Sequence, residues 1–187
     1  MDFIKNIMLA IYCLPFWKLG LFLLGWTAIF FYINRKFQKK MWWKCALLLA
    51  AAIYAVVIFC VTVFWREEPI QGQSVELRPF LSYVRYANGQ EEMLRECVMN
   101  VVLFYPMGLF LGAAAERKRY KRACVLILGA GMLLSVGIEF CQWKFHLGLA
   151  ETDDVIHNAL GTGLGLLAAA KGGGISEKLL PFRVQRG

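Results

Sequence analysis

The stretch MWWKCALLLAAAIYAVVIFCVTVFW, Met41 to Trp65, decides the fold, because Lys44, near one end, is its only charge. A helix crossing the hydrocarbon core of a bilayer needs about 20 mostly apolar residues. This run exceeds that length, so it reads as a membrane span. Four further stretches read the same way: Phe16 to Ile33, Cys97 to Ala115, Ala123 to Trp143 and Thr152 to Ala170. The fourth and fifth would be roughly 31 and 28 Å long at the helical rise, close to the thickness of the hydrocarbon layer. Outside these stretches the chain is short and strongly charged. Over all 187 residues it is 59% hydrophobic and 18% charged, against about 45–50% and 25% in soluble domains. The expected class is all-α: a polytopic membrane helical bundle of about five transmembrane helices, with no room for a separate soluble enzyme domain.

Basic residues set the expected orientation, since lysine- and arginine-rich loops stay in the cytoplasm. Arg35, Lys36, Lys39, Lys40 and Lys44 flank the first turn between spans, and Arg117, Lys118, Arg119, Lys121 and Arg122 fill another. Lys171, Lys178, Arg183 and Arg186 lie in the tail. With five spans, all of these share one side. The N-terminus is then outside and the C-terminus cytoplasmic. The net charge of +8 reflects that orientation. It is not a nucleic-acid footprint, because the cations lie in three juxtamembrane runs with no nucleic-acid-binding motif around them.

The expected organisation is a two-helix N-terminal region (1–65), an extracytoplasmic loop (66–96), a three-helix core (97–171) and a flexible basic tail (172–187) held near anionic headgroups. Residues 1–15 resemble a secretion signal only loosely. They lack a small-x-small cleavage site and are expected to be retained as an interfacial or re-entrant start. In the outer loop, Asn88-Gly89 marks a turn, and GQEEMLREC after it reads as a helical lead into the third span. The six cysteines (Cys13, Cys45, Cys60, Cys97, Cys124, Cys141) show no CxxC spacing and read as buried thiols, with Cys97–Cys141 the pair a disulfide would join.

Polar groups gather where lipid should exclude them. An Asp at a helix centre costs about 2.5–3.5 kcal/mol on insertion scales, so each such residue calls for a reason. Asn100 stands one turn into the third span. Ser135, Glu139 and Gln142 fall at i, i+4 and i+7 on one face of the fourth, and Asp154, His157 and Asn158 at i, i+3 and i+4 on one face of the fifth. Counting helical rise from the outer ends puts Asn100, Glu139 and His157 at about 5, 6 and 7–8 Å depth. Three helices therefore present hydrogen-bonding groups to one layer, expected to meet inside the bundle. Gly161 and Gly165, with Gly131 and Ser135 opposite, predict tight packing of the fourth helix on the fifth. Pro106 predicts a kink and a freed carbonyl needing a partner.

These residues carry a resemblance. NVVLFYPMGLFLG (Asn100–Gly112), SVGIEFCQ (Ser135–Gln142) and ETDDVIHNALGTGLG (Glu151–Gly165), preceded by ELRPF (Glu76–Phe80), are similar in order and spacing to the VanZ-like family of bacterial membrane proteins, over roughly Glu76 to Leu167. Many members have an arginine shortly before the acidic run. This chain has HLGLAETDD there, so that arginine's role does not carry over. The resemblance implies a bacterial plasma-membrane protein and a family label of resistance to the glycopeptide teicoplanin.

Functional readings follow. Glu139 is the residue that scaffolding explains least, because glutamine would bridge helices without a charge. Asp153 and Asp154 fit equally as caps on the positive end of the fifth helix, with Thr152 as N-cap. The favoured reading is non-catalytic: an outer-leaflet pocket of Arg78, Asn100, Ser135, Glu139, Gln142, Asp153, Asp154, His157 and Asn158 that binds a lipid-linked cell-wall precursor or a glycopeptide antibiotic. The alternative is an intramembrane enzyme on a lipid headgroup, with Glu139 or Asp154 as base and His157 as acid or metal ligand. Against it stand the lack of a nucleophile motif, of HExxH and of HxxxH, and no cofactor is implied. A third reading makes the cluster a scaffold for another membrane protein. Transport fits worst, for want of an inverted repeat.

Overall fold

The computed structural model describes residues 14–64 and 75–172. The expected N-terminal start up to Cys13, the early part of the outer loop and the tail beyond Gly172 lie outside the described residues. Six α-helices form among the described residues: α1 (Phe16–Phe37), α2 (Met41–Phe59, continued by a π turn over Cys60–Phe64), α3 (Leu81–Ala87), α4 (Glu91–Ala114), α5 (Tyr120–Lys144) and α6 (Thr152–Gly172). Two residue pairs also form a short parallel ladder, β1 (Val75–Glu76) with β2 (Ala150–Glu151). Neither this ladder nor α3 was expected. The ladder fixes the segment before α3 to the residues that lead into α6.

Four helices, α1, α2 with its π turn, α4 and α5, are long and apolar enough to cross a membrane. The expected fifth, α6, has their length at 21 residues, but its first turn carries Asp153 and Asp154 and its mean hydropathy falls short of theirs. Burial explains this. Leu160 and Leu164 are the large apolar side chains it exposes, while Asp153, His157, Asn158, Gly161, Thr162, Gly165, Leu166, Ala169 and Ala170 are all buried. A helix wrapped by protein has no need of the apolar circumference that lipid demands. The helices around it show the complement. Leu21, Phe22, Leu24 and Ile29 on α1, Leu48, Leu49, Ile53 and Val56 on α2, and Val125, Leu126, Leu133, Val136 and Phe140 on α5 all point outward.

α4 and α6 run parallel, backbone against backbone. A Cβ added at Gly108 would sit 2.0 Å from the Thr162 carbonyl oxygen, at Gly161 2.3 Å from that of Val101, and at Gly165 2.2 Å from that of Tyr105. The small-residue stripe of α6 therefore faces the third span. The expected tight packing of the fourth span on the fifth forms as well, on the face that carries Gly131 and Ser135. α5 packs on α6 through the next face, where a Cβ on Gly131 would lie 2.7 Å from Thr162 Oγ1. Tyr120 pins the far end of that contact, its buried hydroxyl donating to the Leu166 carbonyl at 2.8 Å. α4 continues through Pro106. The missing N–H leaves the Val102 carbonyl free, and at the neighbouring carbonyl, Leu103, the Tyr54 hydroxyl donates at 2.9 Å.

The turn between α1 and α2 and the turn between α4 and α5 lie at the same end of the bundle, where Lys39, Lys44 and Lys118 line one cavity. The polar cluster occupies the opposite end. Gly89, at φ 94°, makes the expected turn between α3 and α4. Cys45, Cys60, Cys97, Cys124 and Cys141 are free thiols, so Cys97 and Cys141 form no disulfide.

Candidate functional site

The polar cluster is built in two rungs between α5 and α6. The deeper joins Asn158 to Ser135, Nδ2 donating to Oγ at 2.8 Å, with both residues buried. Thr162 completes it by donating to the Asn158 carbonyl one turn on, at 3.0 Å. The shallower rung is Glu139, whose Oε2 accepts the Glu151 N–H at 3.0 Å. Gln142 reaches sideways from the end of α5, its Nε2 donating to the Thr62 carbonyl at 3.1 Å. That carbonyl is available because the π turn closes α2, and the last carbonyls of a helix have no partner within it. From Ser135 to Gln142 the face rises by about 10 Å, so these side chains form a column.

Above the column lies α3. The acid that holds it is Asp153, buried, whose two carboxylate oxygens accept the N–H groups of Phe80 and Ser82, the latter at 2.7 Å. Asp153 therefore caps another helix, not its own. Thr152 donates to the Glu76 carbonyl at 3.2 Å, so it too ties α6 to the segment before α3 instead of closing its own first turn. Phe80 adopts the left-handed region at φ 65° to make this approach, a conformation unusual for a bulky residue. On the next turn of α6, His157 Nε2 meets the Tyr83 hydroxyl at 2.8 Å. Arg85 of α3 pairs with Glu151 at 2.7 Å, with both side chains mostly shielded. The loop from Val75 to Ala87 is thus fastened to the start of α6 at each turn.

The structure gathers most of the expected residues and rejects some. Ser135, Glu139, Gln142, Asp153, His157 and Asn158 are buried together at one end. Asp154, expected to share their face, is only half-buried; Asp153 takes that place, four residues before His157. Asn100 is half-buried and makes no side-chain hydrogen bond among the described residues, so it does not join the column. Arg78 stands outside it. Its side chain is 75% exposed and pairs with Glu76 at 2.8 Å, holding that carboxyl down at about 2 chiefly through the Arg78 side-chain hydrogen bond. Sequence reading missed Thr62, Phe80, Ser82, Tyr83 and Arg85. Phe80 closes ELRPF and Ser82, Tyr83 and Arg85 follow it, so that stretch was the one available pointer.

Three atoms of the cluster are buried with no hydrogen-bond partner among the described residues: Gln142 Oε1, His157 Nδ1 and Asn158 Oδ1. Buried polar groups are nearly always paired, so each orphan asks for a water or a ligand atom. No group of three His, Cys, Asp or Glu side chains positioned to hold a metal occurs among the described residues. The Glu139 and Asp153 carboxylates already accept backbone amides, an occupation suited to positioning.

A family model described as VanZ/LLP1 matches residues 51–171, which include every buried residue of the column. Protein VanZ of Enterococcus faecium is 27% identical over 121 residues, 62% of this chain and 68% of that protein. No solved structure matches the chain.

Proposed function

This chain belongs to the VanZ/LLP1 family, and on that premise we propose that it is a cell-envelope membrane protein whose α5–α6 polar column binds the polar head of an amphiphile. The ligand class is a lipid-linked cell-wall precursor or a teicoplanin-type glycopeptide, and resistance to the latter is the physiological readout. The observation that carries the reading is the set of three unpartnered atoms, His157 Nδ1, Asn158 Oδ1 and Gln142 Oε1. Their residues otherwise hold fixed positions through Tyr83, Ser135 and Thr62. A bound head group would supply what the fold leaves unmade, and α3 covers the column as a lid. In this reading the lysine-rich end faces the cytoplasm and the column faces outward. Reporter fusions in the 115–119 turn should be active only as cytoplasmic reporters.

Two substitutions of one residue provide the test. His157→Gln places an amide near the Nε2 position, keeping a partner for Tyr83 while deleting Nδ1; His157→Asn does the reverse. If Nδ1 serves a ligand, the glutamine variant binds a fluorescent teicoplanin-type glycopeptide, or a photoactivatable polyprenyl-phosphate sugar, about two- to tenfold more weakly, as expected for one hydrogen bond. The asparagine variant then retains binding. The opposite ranking would make His157 a lid anchor and remove the ligand. A changed membrane-lipid profile in Glu139→Gln cells would instead indicate chemistry on a lipid.

A further inference from the structure

At the opposite end of the bundle a cavity of about 630 Å³ opens between the α1–α2 turn and the ends of α4 and α6, lined by Asn34, Gln38, Lys39, Lys44 and Lys118 together with Glu116. Its apolar wall is made of small residues, Gly112, Ala113, Ala115 and Ala169, which is why the space exists: larger side chains there would fill it. Lys39, Lys44 and Lys118 make no ion pair or side-chain hydrogen bond among the described residues, and Glu116 neutralises none of them by contact. Three cations against one carboxylate leave the lining at 3 − 1 = +2. Asn34 is 3% exposed, and its Oδ1 is taken by Trp43 Nε1 at 2.8 Å. Its amide donor is thereby turned away from Trp43, in a residue that lines the cavity.

A concavity of this size suits a small ligand. Lysine ammonium groups bind phosphate as point charges, and basic pockets between transmembrane helices take anionic lipid head groups. Met41 and Trp42, in the first turn of α2 beside Lys44, expose large apolar side chains at the same end of the bundle, a surface suited to acyl chains. We propose that this cavity is a binding site for the phosphate-bearing head group of an anionic phospholipid, held by Lys39, Lys44 and Lys118. Glu116 sets the affinity below its maximum by opposing the phosphate charge. The site is separate from the α5–α6 column, and its test is independent of it.

The test is equilibrium binding of radiolabelled phosphatidylglycerol to the purified full-length protein in neutral detergent, with phosphatidylcholine as the uncharged comparison. Each juxtamembrane lysine beside an anionic head group is worth about fivefold, so Lys39→Gln, Lys44→Gln and Lys118→Gln combined should weaken phosphatidylglycerol binding on the order of 100-fold. Phosphatidylcholine binding should not move. Glu116→Gln should strengthen phosphatidylglycerol binding about fivefold, a gain that misfolding cannot mimic. Lys18→Gln with Lys144→Gln, at the other end of the bundle, should leave it within twofold. Retained binding in the triple variant, or an equal loss in the Lys18/Lys144 pair, would overturn the proposal. Displacement of the lipid by inorganic phosphate beyond that seen with chloride at matched ionic strength would also overturn it, by making the site one for free phosphate.

Discussion

Gly161→Ala places one methyl group where the backbones of α4 and α6 approach closely, and its effect can be worked from the geometry. The new Cβ would lie 2.3 Å from the Val101 carbonyl oxygen and 3.0 Å from the carbonyl carbon and Cα behind it. Carbon–oxygen contacts settle at about 3.3–3.6 Å, so the helices must part by about 1 Å. The obstacle is backbone and cannot rotate aside. A gap of 0.5–1 Å forfeits roughly a quarter to a half of each dispersion contact, and the interface that opens runs from Val101 to Gly112. Overpacking of this kind costs about 1–3 kcal/mol. Gly163→Ala is the internal control: its Cβ would meet only Leu128 Cδ2, at 3.7 Å, an ordinary contact. Both substitutions make the same change in helix propensity, favouring alanine by up to about 1 kcal/mol, so their difference isolates the clash. Unfolding in mild detergent by a graded denaturing surfactant, followed by tryptophan fluorescence, should show Gly161→Ala less stable than Gly163→Ala by about 1–3 kcal/mol. Equal stability of the two variants would refute the backbone contact.

Asp153→Asn leaves one acceptor where two amides need them and should cost about 1.5–3 kcal/mol for each charge-assisted bond lost; hydrogen exchange over Leu81–Ala87 should accelerate while that of α4 stays unchanged, and an unchanged α3 would mean the lid is held elsewhere. Tyr83→Phe removes the partner of His157 Nε2 and should loosen α3 by about 0.5–1.5 kcal/mol, with no additional loss in the Tyr83→Phe, His157→Asn double variant if the two act as a pair. The Glu76 carboxyl lies at about 2 in the fold against 4.5 ordinarily, so its contribution is complete above 4.5 and is lost as pH falls through about 2. A carboxyl NMR titration should show the low midpoint in the parent and a return towards 4.5 in Arg78→Gln; the same midpoint in both would remove Arg78 as its cause.

Membrane class and helix positions were legible because lipid imposes one rule, a long run with few charges: α2 carries Lys44 alone, and α5 keeps Glu139 as the one charge between its basic ends. α3 was not legible: a seven-residue helix has no apolar period of its own and forms because Asp153, more than seventy residues away, accepts its first amides. The same distance hid Tyr83 and Arg85, whose partners are His157 and Glu151. Helical spacing put Asp154 on the face of His157, since i, i+3 and i, i+4 lie equally near. The choice between Asp153 and Asp154 was made by where α3 docks, which periodicity does not contain. Arg78 was drawn in by its place within ELRPF, yet the segment turns at Pro79 and Phe80 so that Arg78 folds back on Glu76.

The stretches that identify the family are also the stretches that touch one another. Val101 meets Gly161, Gly108 meets Thr162, Ser135 bonds Asn158, and Glu139 bonds the amide of Glu151. Loss of function after changing any of these would therefore follow from a displaced helix as readily as from a lost ligand. Only side-chain atoms that the fold leaves unpaired can separate the two effects, and Gln142, His157 and Asn158 each combine one structural atom with one orphan. Substitutions that keep the first and delete the second, such as His157→Gln, test binding with the packing held constant. Under the proposed function, a variant whose packing survives but whose glycopeptide protection falls would place the ligand in the column; protection that tracks stability alone, variant by variant, would reduce the column to the bolts that hold α3, α5 and α6 together.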